Sequence, residues 1–285
     1  MPDLIYEKHL DKHYALFKFN RPERMNALTP EMQQFLREEV YDFATDPELR
    51  VAIVTGEGKA FSAGADLKTM TEHSARVAGI EARYKRAEIT AEQRRAELQA
   101  AGGYGLGLYG PDRIPKYPFG ACPKPIIAAI NGACIAGGME MAIDGDIRIA
   151  STDAYFGLFE AKRGVIAGVG VQHLARVMPA GEAMYLLLLA DKWSVERARE
   201  VGFVQEVMPP ERLMPRALEM AEAIGANAPL SVQGSKAMVQ LWRHHGMEEV
   251  RRMEEYVWKA VFDSADAKEG PRAFAEKRPP NWQGR

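Results

Sequence analysis

Two stretches decide the fold: VAIVTGEGKAFSAGADLKTM at residues 51–70 and KPIIAAINGACIAGGMEMAIDGDIRIAS at residues 124–151. Each opens on a short apolar run, Val51 to Thr55 in one and Ile126 to Ile130 in the other, of the kind that forms a buried strand. Each then passes through small residues, Phe61 to Asp66 (FSAGAD) or Asn131 to Gly138 (NGACIAGG), and enters a helix. Small side chains let a ligand approach the backbone, and a helix beginning there points unpaired N–H groups and partial positive charge at it. Two such N–H groups are what an oxyanion hole requires. The same composition also serves a tight turn with no ligand.

Working outward, Leu4 to Asn20 reads as two short strands around a turn at DKH, and Thr29-Pro30 as the N-cap and first residue of a helix. Met32, Phe35, Leu36, Val40 and Phe43 recur at helical spacing up to Asp46-Pro47. Thr71 to Gln99 is highly charged and helical in tendency. Ala100 to Pro123 is rich in glycine and proline and reads as a mobile, poorly packed insertion. A further strand follows at DIRIAST, residues 146–152. Beyond Ala180 the spacing predicts helices over 181–190, 194–202, 210–226, 230–244 and 247–262, with a short strand FVQEV among them and a proline-broken tail at the end. Strand-strand-helix units occur more than once. The division is a core over 1–200 with a variable insertion at about 71–123, and a helical region over 201–285.

The 285 residues carry 37 Lys+Arg against 39 Asp+Glu, a net charge of −2 with no basic footprint for a phosphate backbone, so nucleic acid is not an expected partner. The longest uncharged stretch, Pro125 to Met139, is 15 residues and is interrupted by Asn131 and glycines, too short to span a bilayer. The N-terminal MPDLIYEKHL lacks the apolar segment of a secretory signal, so a cytoplasmic location is expected. Cys122 and Cys134 lie outside any CxxC pattern and read as two buried thiols.

Several formal motifs fall away. Gly105-x-Gly107-x-x-Gly110 fits a dinucleotide fingerprint but lacks the strand before and the helix after it. His9 and His13 are four apart in a segment read as strand, where that spacing is not a helical face, so no metal site is expected. Ser62, in AFSAG, lacks the setting of a nucleophile elbow.

The carboxylates say more. Glu140 opens the second helix among Ala136, Gly137, Gly138, Met139, Met141 and Ala142, and Glu160 follows Tyr155, Phe156 and Phe159. Two glutamates in apolar surroundings suit general acid and base work, because desolvation raises a carboxyl's proton affinity. Spacing alone does not bring the two together.

These residues resemble the crotonase (enoyl-CoA hydratase/isomerase) superfamily over almost the whole chain. The resemblance is carried by NRPERMNALTPEM, the two stretches quoted above, AYFGLFEAKRGV and the ending EGPRAFAEKRPPNWQGR, and looks most like bacterial hydratases near the carnitinyl-CoA dehydratase branch. It implies an α/β crotonase fold of repeated β-β-α units, two nearly perpendicular sheets and a C-terminal helical trimerisation region, in a homotrimer or homohexamer. It implies that the Ala65 and Gly137 N–H groups grip a thioester carbonyl and that Glu140 and Glu160 are the catalytic pair. Arg24, Ala27, Ala63, Asp66, Leu67, Lys68, Gly168, Phe274 and Lys277 would contact the acyl-CoA, the last two reaching a neighbouring subunit's site. The implied reaction is hydration of a trans-2-enoyl-CoA, with no metal and no cofactor beyond the CoA of the substrate. A Δ3,Δ2-enoyl-CoA isomerase needs only one base, and dehydration of a carnitinyl-like or sterol side-chain thioester uses the same machinery. A non-catalytic or RNA-binding scaffold is the alternative of another class, against which both surviving glutamates speak. The chain departs from the family pattern after Glu160, where it reads GVIAGVGV at 164–171 in place of a proline turn and a Gly-Gly pair.

Overall fold

The computed structural model describes residues 2–101 and 118–285, except for the side chain of Gln99. The dinucleotide-like glycines at 105–110 and most of the glycine- and proline-rich segment therefore lie outside the described residues. A hairpin, β1 (Leu4–His9) and β2 (Tyr14–Phe19), leads into α1 (Pro30–Thr45). Thr29 caps α1 by accepting the Met32 N–H at 3.2 Å, and the helix buries Met32, Leu36, Val40 and Phe43 along one stripe.

Three paired-strand units follow, and they set the architecture. The first is β3 (Val51–Gly56), β4 (Ala60–Ser62) and α2 (Leu67–Lys85), after which comes α3 (Ala91–Ala101). The second is β5 (Ile126–Ile130), β6 (Ala133–Ile135) and α4 (Gly137–Asp144), and the third is β7 (Ile147–Ser151), β8 (Tyr155–Gly157) and α5 (Gly168–Val177). In each unit the first strand joins one sheet and the second strand another. The larger sheet has the order β1-β2-β3-β5-β7-β10 and the smaller β4-β6-β8-β9, with the strands of the three units parallel within each sheet. Parallel neighbours need a crossover, and the second strand with its helix supplies it.

Completing the chain are α6 (Ala180–Leu189), β9 (Trp193–Ser194), α7 (Val195–Glu200), β10 (Glu206–Met208), α8 (Pro210–Gly225), α9 (Pro229–His244), α10 (Met247–Phe262) and α11 (Ala265–Glu276). Strands β3 and β5 are almost wholly apolar because both faces of the larger sheet are covered there. Val51, Ile53, Ile127 and Ile149 face Leu213, Ala217 and Ala221 of α8, while Ala52, Val54, Ile126, Ala128 and Ile130 face the main core. So β10 joins the larger sheet at its edge and α8 covers one of its faces.

The segment after residue 117 is better packed than its composition suggests. Phe119 is buried against Phe17, rings edge to face with centroids 5.5 Å apart, and Cys122 is buried beside it. Both cysteines are free, and burial pushes each thiol's pKa up.

Candidate active site

The second strands of the three units are short because each stops at a functional turn. The first turn, residues 63–66, lies between β4 and α2. Its Gly64 has φ +83°, and the Ser62 hydroxyl accepts the Gly64 N–H at 3.1 Å while donating to the Asn26 carbonyl at 2.8 Å. Ser62 is thus a buried brace of the turn. Leu28 N–H donates to the Gly64 carbonyl at 2.8 Å and Asp66 N–H to the Leu28 carbonyl at 3.0 Å. In such a parallel bridge the amide of the central residue, Ala65, points away from Leu28 and out of the pairing. Asp66 caps α2, accepting from the Lys68 and Thr69 amides, and pairs with Arg21 at 3.3 Å.

The second turn lies between β6 and α4. Ala136 has φ +50° and ψ −128°, a conformation that costs a residue with a Cβ about 1–3 kcal/mol. Its N–H donates to the Gly157 carbonyl at 2.8 Å, which ties the turn to the exit of β8. That sharp reversal starts α4 at Gly137, whose N–H is among the first-turn donors that have no intrahelical acceptor. The two turns touch: a Cβ built on Gly64 would lie 2.6 Å from the Gly137 nitrogen, and one on Gly138 would lie 2.1 Å from the Ser62 carbonyl oxygen. The Ala65 and Gly137 amides therefore belong to adjoining turns.

Glu140, in the first turn of α4, is 1% exposed. Its Oε1 accepts the Gly170 N–H at 3.1 Å, and a Cβ on Gly168 would stand 3.9 Å from the same oxygen. The N-terminus of α5 thus aims its positive end at this carboxylate. Glu160 opens a short 3-10 turn three residues after Gly157, the carbonyl that anchors Ala136, and its Oε2 is shielded from solvent. Gly164, at φ +72°, ends that turn; Val165 and Ile166 are exposed, and Ala167 leads back in to α5. Where the family pattern has a proline turn, this chain brings the amides of a helix start directly onto Glu140.

The loop carrying Arg24 and Ala27 rests on the first turn. Ala63 N–H donates to the Met25 carbonyl at 2.9 Å, and the Arg21 guanidinium reaches the Ala27 carbonyl at 2.7 Å. Arg24, Leu67 and Lys68 are exposed along this rim. Phe274 and Lys277 are placed elsewhere: both are exposed at the end of α11, and no hydrogen bond, ion pair or ring contact among the described residues joins them to the turns. Among the described residues no group of three His, Cys, Asp or Glu side chains could hold a metal ion, and no helix is long and apolar enough to cross a membrane.

Sequence reasoning missed three contributors. Gly170 supplies a donor to Glu140, and its signal was the GVG run opening α5. Asn26, fully buried at φ +55°, holds loop and strand together through Arg21, Glu57 and Ala60. Asp144, one helical turn beyond Glu140, meets His173 of α5.

Paired-strand units that bring two backbone amides, the buried Glu140 and the partly shielded Glu160 to adjoining turns define a crotonase fold. The family described as enoyl-CoA hydratase/isomerase matches residues 11–92 and 119–285, and the chain belongs to it. It is 37% identical over 277 residues to an (E)-benzylidenesuccinyl-CoA hydratase of Thauera aromatica, covering 96% of this chain and 97% of the relative. It is 33% identical over 282 residues to a crotonyl-CoA hydratase of Syntrophomonas wolfei, covering 98% and 97%. A solved enoyl-CoA hydratase of Mycobacterium tuberculosis superposes with a TM-score of 0.82 at 31% identity, covering all of both chains.

Proposed function

We propose that this chain is an enoyl-CoA hydratase, adding water reversibly to a trans-2-enoyl-CoA to give a 3-hydroxyacyl-CoA. The contact between the Gly64 and Gly137 turns, with Glu140 buried three residues further on, carries the reading. The thioester oxygen sits between the Ala65 and Gly137 N–H groups. As water adds to the β-carbon, the C=C electron pair moves toward that oxygen, and the two donors stabilise the charge that develops there.

Glu140 acts as base and Glu160 as acid. The attacking water gives one proton to Glu140, and Glu160 delivers another to the α-carbon as the carbonyl re-forms. The Gly170 N–H holds one oxygen of Glu140 and so orients the carboxylate toward the water. Hydration moves no electrons between substrate and enzyme, so the chemistry calls for no redox cofactor. Retention of both glutamates favours water chemistry over the single-base proton shuttle of an isomerase.

The CoA portion runs along residues 63–68 and past Arg24 and Ala27. Gly168, beside Glu140, borders the acyl end. Phe274 and Lys277 serve the site of a neighbouring subunit, consistent with their exposure here and with a trimer or a dimer of trimers. An exposed apolar set on the outer helices, Trp242, Met253, Tyr256, Trp258 and Phe262, supports that association. Crotonyl-CoA hydration by the wild type, compared with Glu140→Gln and Glu160→Gln, tests the assignment.

A further inference from the structure

Asp144 stands four residues after Glu140 and therefore on the same face of α4. On the facing helix, His173 stands three residues after Gly170, also one turn along. The two carboxylates meet α5 as successive rungs: Glu140 Oε1 accepts the Gly170 N–H at 3.1 Å, and Asp144 Oδ1 accepts from His173 Nδ1 at 3.3 Å. The Asp144 side chain is 6% exposed, and on its other side a Cβ on Gly120 would come within 3.0 Å of the carboxyl.

An apolar side chain would fill this position without the desolvation cost of a buried carboxylate. That cost shows in Asp144, whose pKa is pushed up chiefly by burial. Besides the Gly120 backbone, the partner of this buried acid is the His173 side chain, and that bond is met at only one register of α5 along α4.

We infer that Asp144 and His173 are positioning residues: their hydrogen bond sets the register of α5 on α4 and so keeps the Gly170 N–H on the Glu140 carboxylate. The inference rests on Glu140 being the water-activating base. Among the described residues, no hydrogen bond joins Asp144 or His173 to the turns at 63–66 and 136–137. His173 is one-third exposed at the edge of a cavity of about 230 Å³ shared with Asp146, Arg243 and His244, so side chains of other shapes fit there.

The test measures crotonyl-CoA hydration for wild type, His173→Asn, His173→Gln, His173→Leu and Glu140→Gln, together with binding of butyryl-CoA, a saturated thioester that cannot be hydrated. An asparagine amide occupies the place of Nδ1 and keeps the bond to Asp144, whereas a glutamine amide reaches the place of Nε2 and a leucine donates nothing. The expected result is a fall in kcat of about 10- to 100-fold in His173→Gln and His173→Leu, as a slightly misplaced catalytic group produces. Butyryl-CoA affinity is unchanged and His173→Asn recovers most of the rate. Wild-type kcat in His173→Gln, loss in His173→Asn equal to that in His173→Gln, or butyryl-CoA affinity falling in step with kcat overturns the inference. Full activity in Glu140→Gln instead overturns the assignment of the base. Should His173→Leu not fold, the pair His173→Asn and His173→Gln decides the matter alone.

Discussion

Gly64 and Gly137 are in contact across the two turns, so closely that a Cβ on Gly64 would stand 2.6 Å from the Gly137 amide nitrogen. Gly64 also has φ +83°, where an L-residue is strained. Gly64→Ala therefore pushes the two amide-bearing turns apart. The expected loss in kcat is about 10²–10³-fold, the usual effect of losing one oxyanion donor. Stopped-flow hydration of crotonyl-CoA measures it, and a kcat equal to wild type would show that the turns need not touch.

Asn26 joins the first loop to β4 and its approach. Its Nδ2 donates to the Glu57 carbonyl at 3.0 Å and the Ala60 carbonyl at 2.7 Å, and its Oδ1 accepts the Arg21 N–H at 2.8 Å. Asn26→Ala removes all three bonds, leaving the Arg21 N–H and the Glu57 carbonyl without this partner while Asn131 still reaches the Ala60 carbonyl, and places alanine at positive φ. A loss of roughly 2–4 kcal/mol of stability is expected from urea unfolding, because unsatisfied buried groups cost the most. A change under the error of the extrapolation would contradict the reading of Asn26 as the loop's main tether.

Much of this was readable in advance, for reasons that can be named. Thr29-Pro30 marked the start of α1, and VAIVT and IIAAI marked strands covered on both sides. Strands β4 and β6 were not seen as strands because three residues, AFS and ACI, show no periodicity and depend on neighbours in the smaller sheet. Helix α5 is not legible in the sequence because glycines open it, although one of them, Gly170, lets its first turn pack on Leu158, where a Cβ would stand 2.8 Å from Cδ1. The Gly-Gly pair at 137–138 marked the second turn correctly, yet the strained residue is Ala136, which nothing in its type reveals. That Glu140 and Glu160 occupy adjoining units follows from the crossover between β6 and β8, a long-range relationship that local spacing does not encode.

The C-terminal tail, which the sequence presents as a proline-broken end, is tied down by two acids of α11. Glu269 accepts from both terminal nitrogens of Arg278, at 2.6 and 2.9 Å, and from the Asn281 N–H, and these bonds hold its pKa down to about 2. Asp266 accepts the Gln283 and Gly284 amides. The folded carboxyl of Glu269 titrates below its ordinary value of 4.5, so its contribution is complete above that pH and is lost as pH falls toward 2. The Trp282 indole N–H, which donates to the Ala226 carbonyl, reports the tail's attachment by NMR. Its resonance should move toward the free-indole position on acidification below about pH 4, and in Glu269→Gln, which has no carboxyl to titrate, it should lie nearer that position already at neutral pH. A resonance that stays fixed in Glu269→Gln would mean the tail is held by other bonds.

Exposed aromatic residues on α10 bear on assembly. Trp258 and Phe262 stack with centroids 5.5 Å apart, and both are largely exposed in the single chain. Burying each such side chain in an interface is worth about 1.5–3 kcal/mol. The double variant Trp258→Glu, Phe262→Asp should therefore shift the particle mass, read by light scattering, from that of the proposed trimer or hexamer to smaller species. An assembly of unchanged mass would place the contact on another face.

In the proposed reaction Glu140 and Glu160 move the protons of water across an enoyl double bond. The direct measurement is the loss of enoyl-thioester ultraviolet absorbance with crotonyl-CoA, for the wild type beside Glu140→Gln and Glu160→Gln. Rapid loss is expected in the wild type, with turnover lowered by about 10²–10⁴-fold or more in each variant, the range that general acid–base catalysis supplies. Butyryl-CoA binding should persist in all three proteins. Hydration at the wild-type rate in Glu140→Gln would contradict the account.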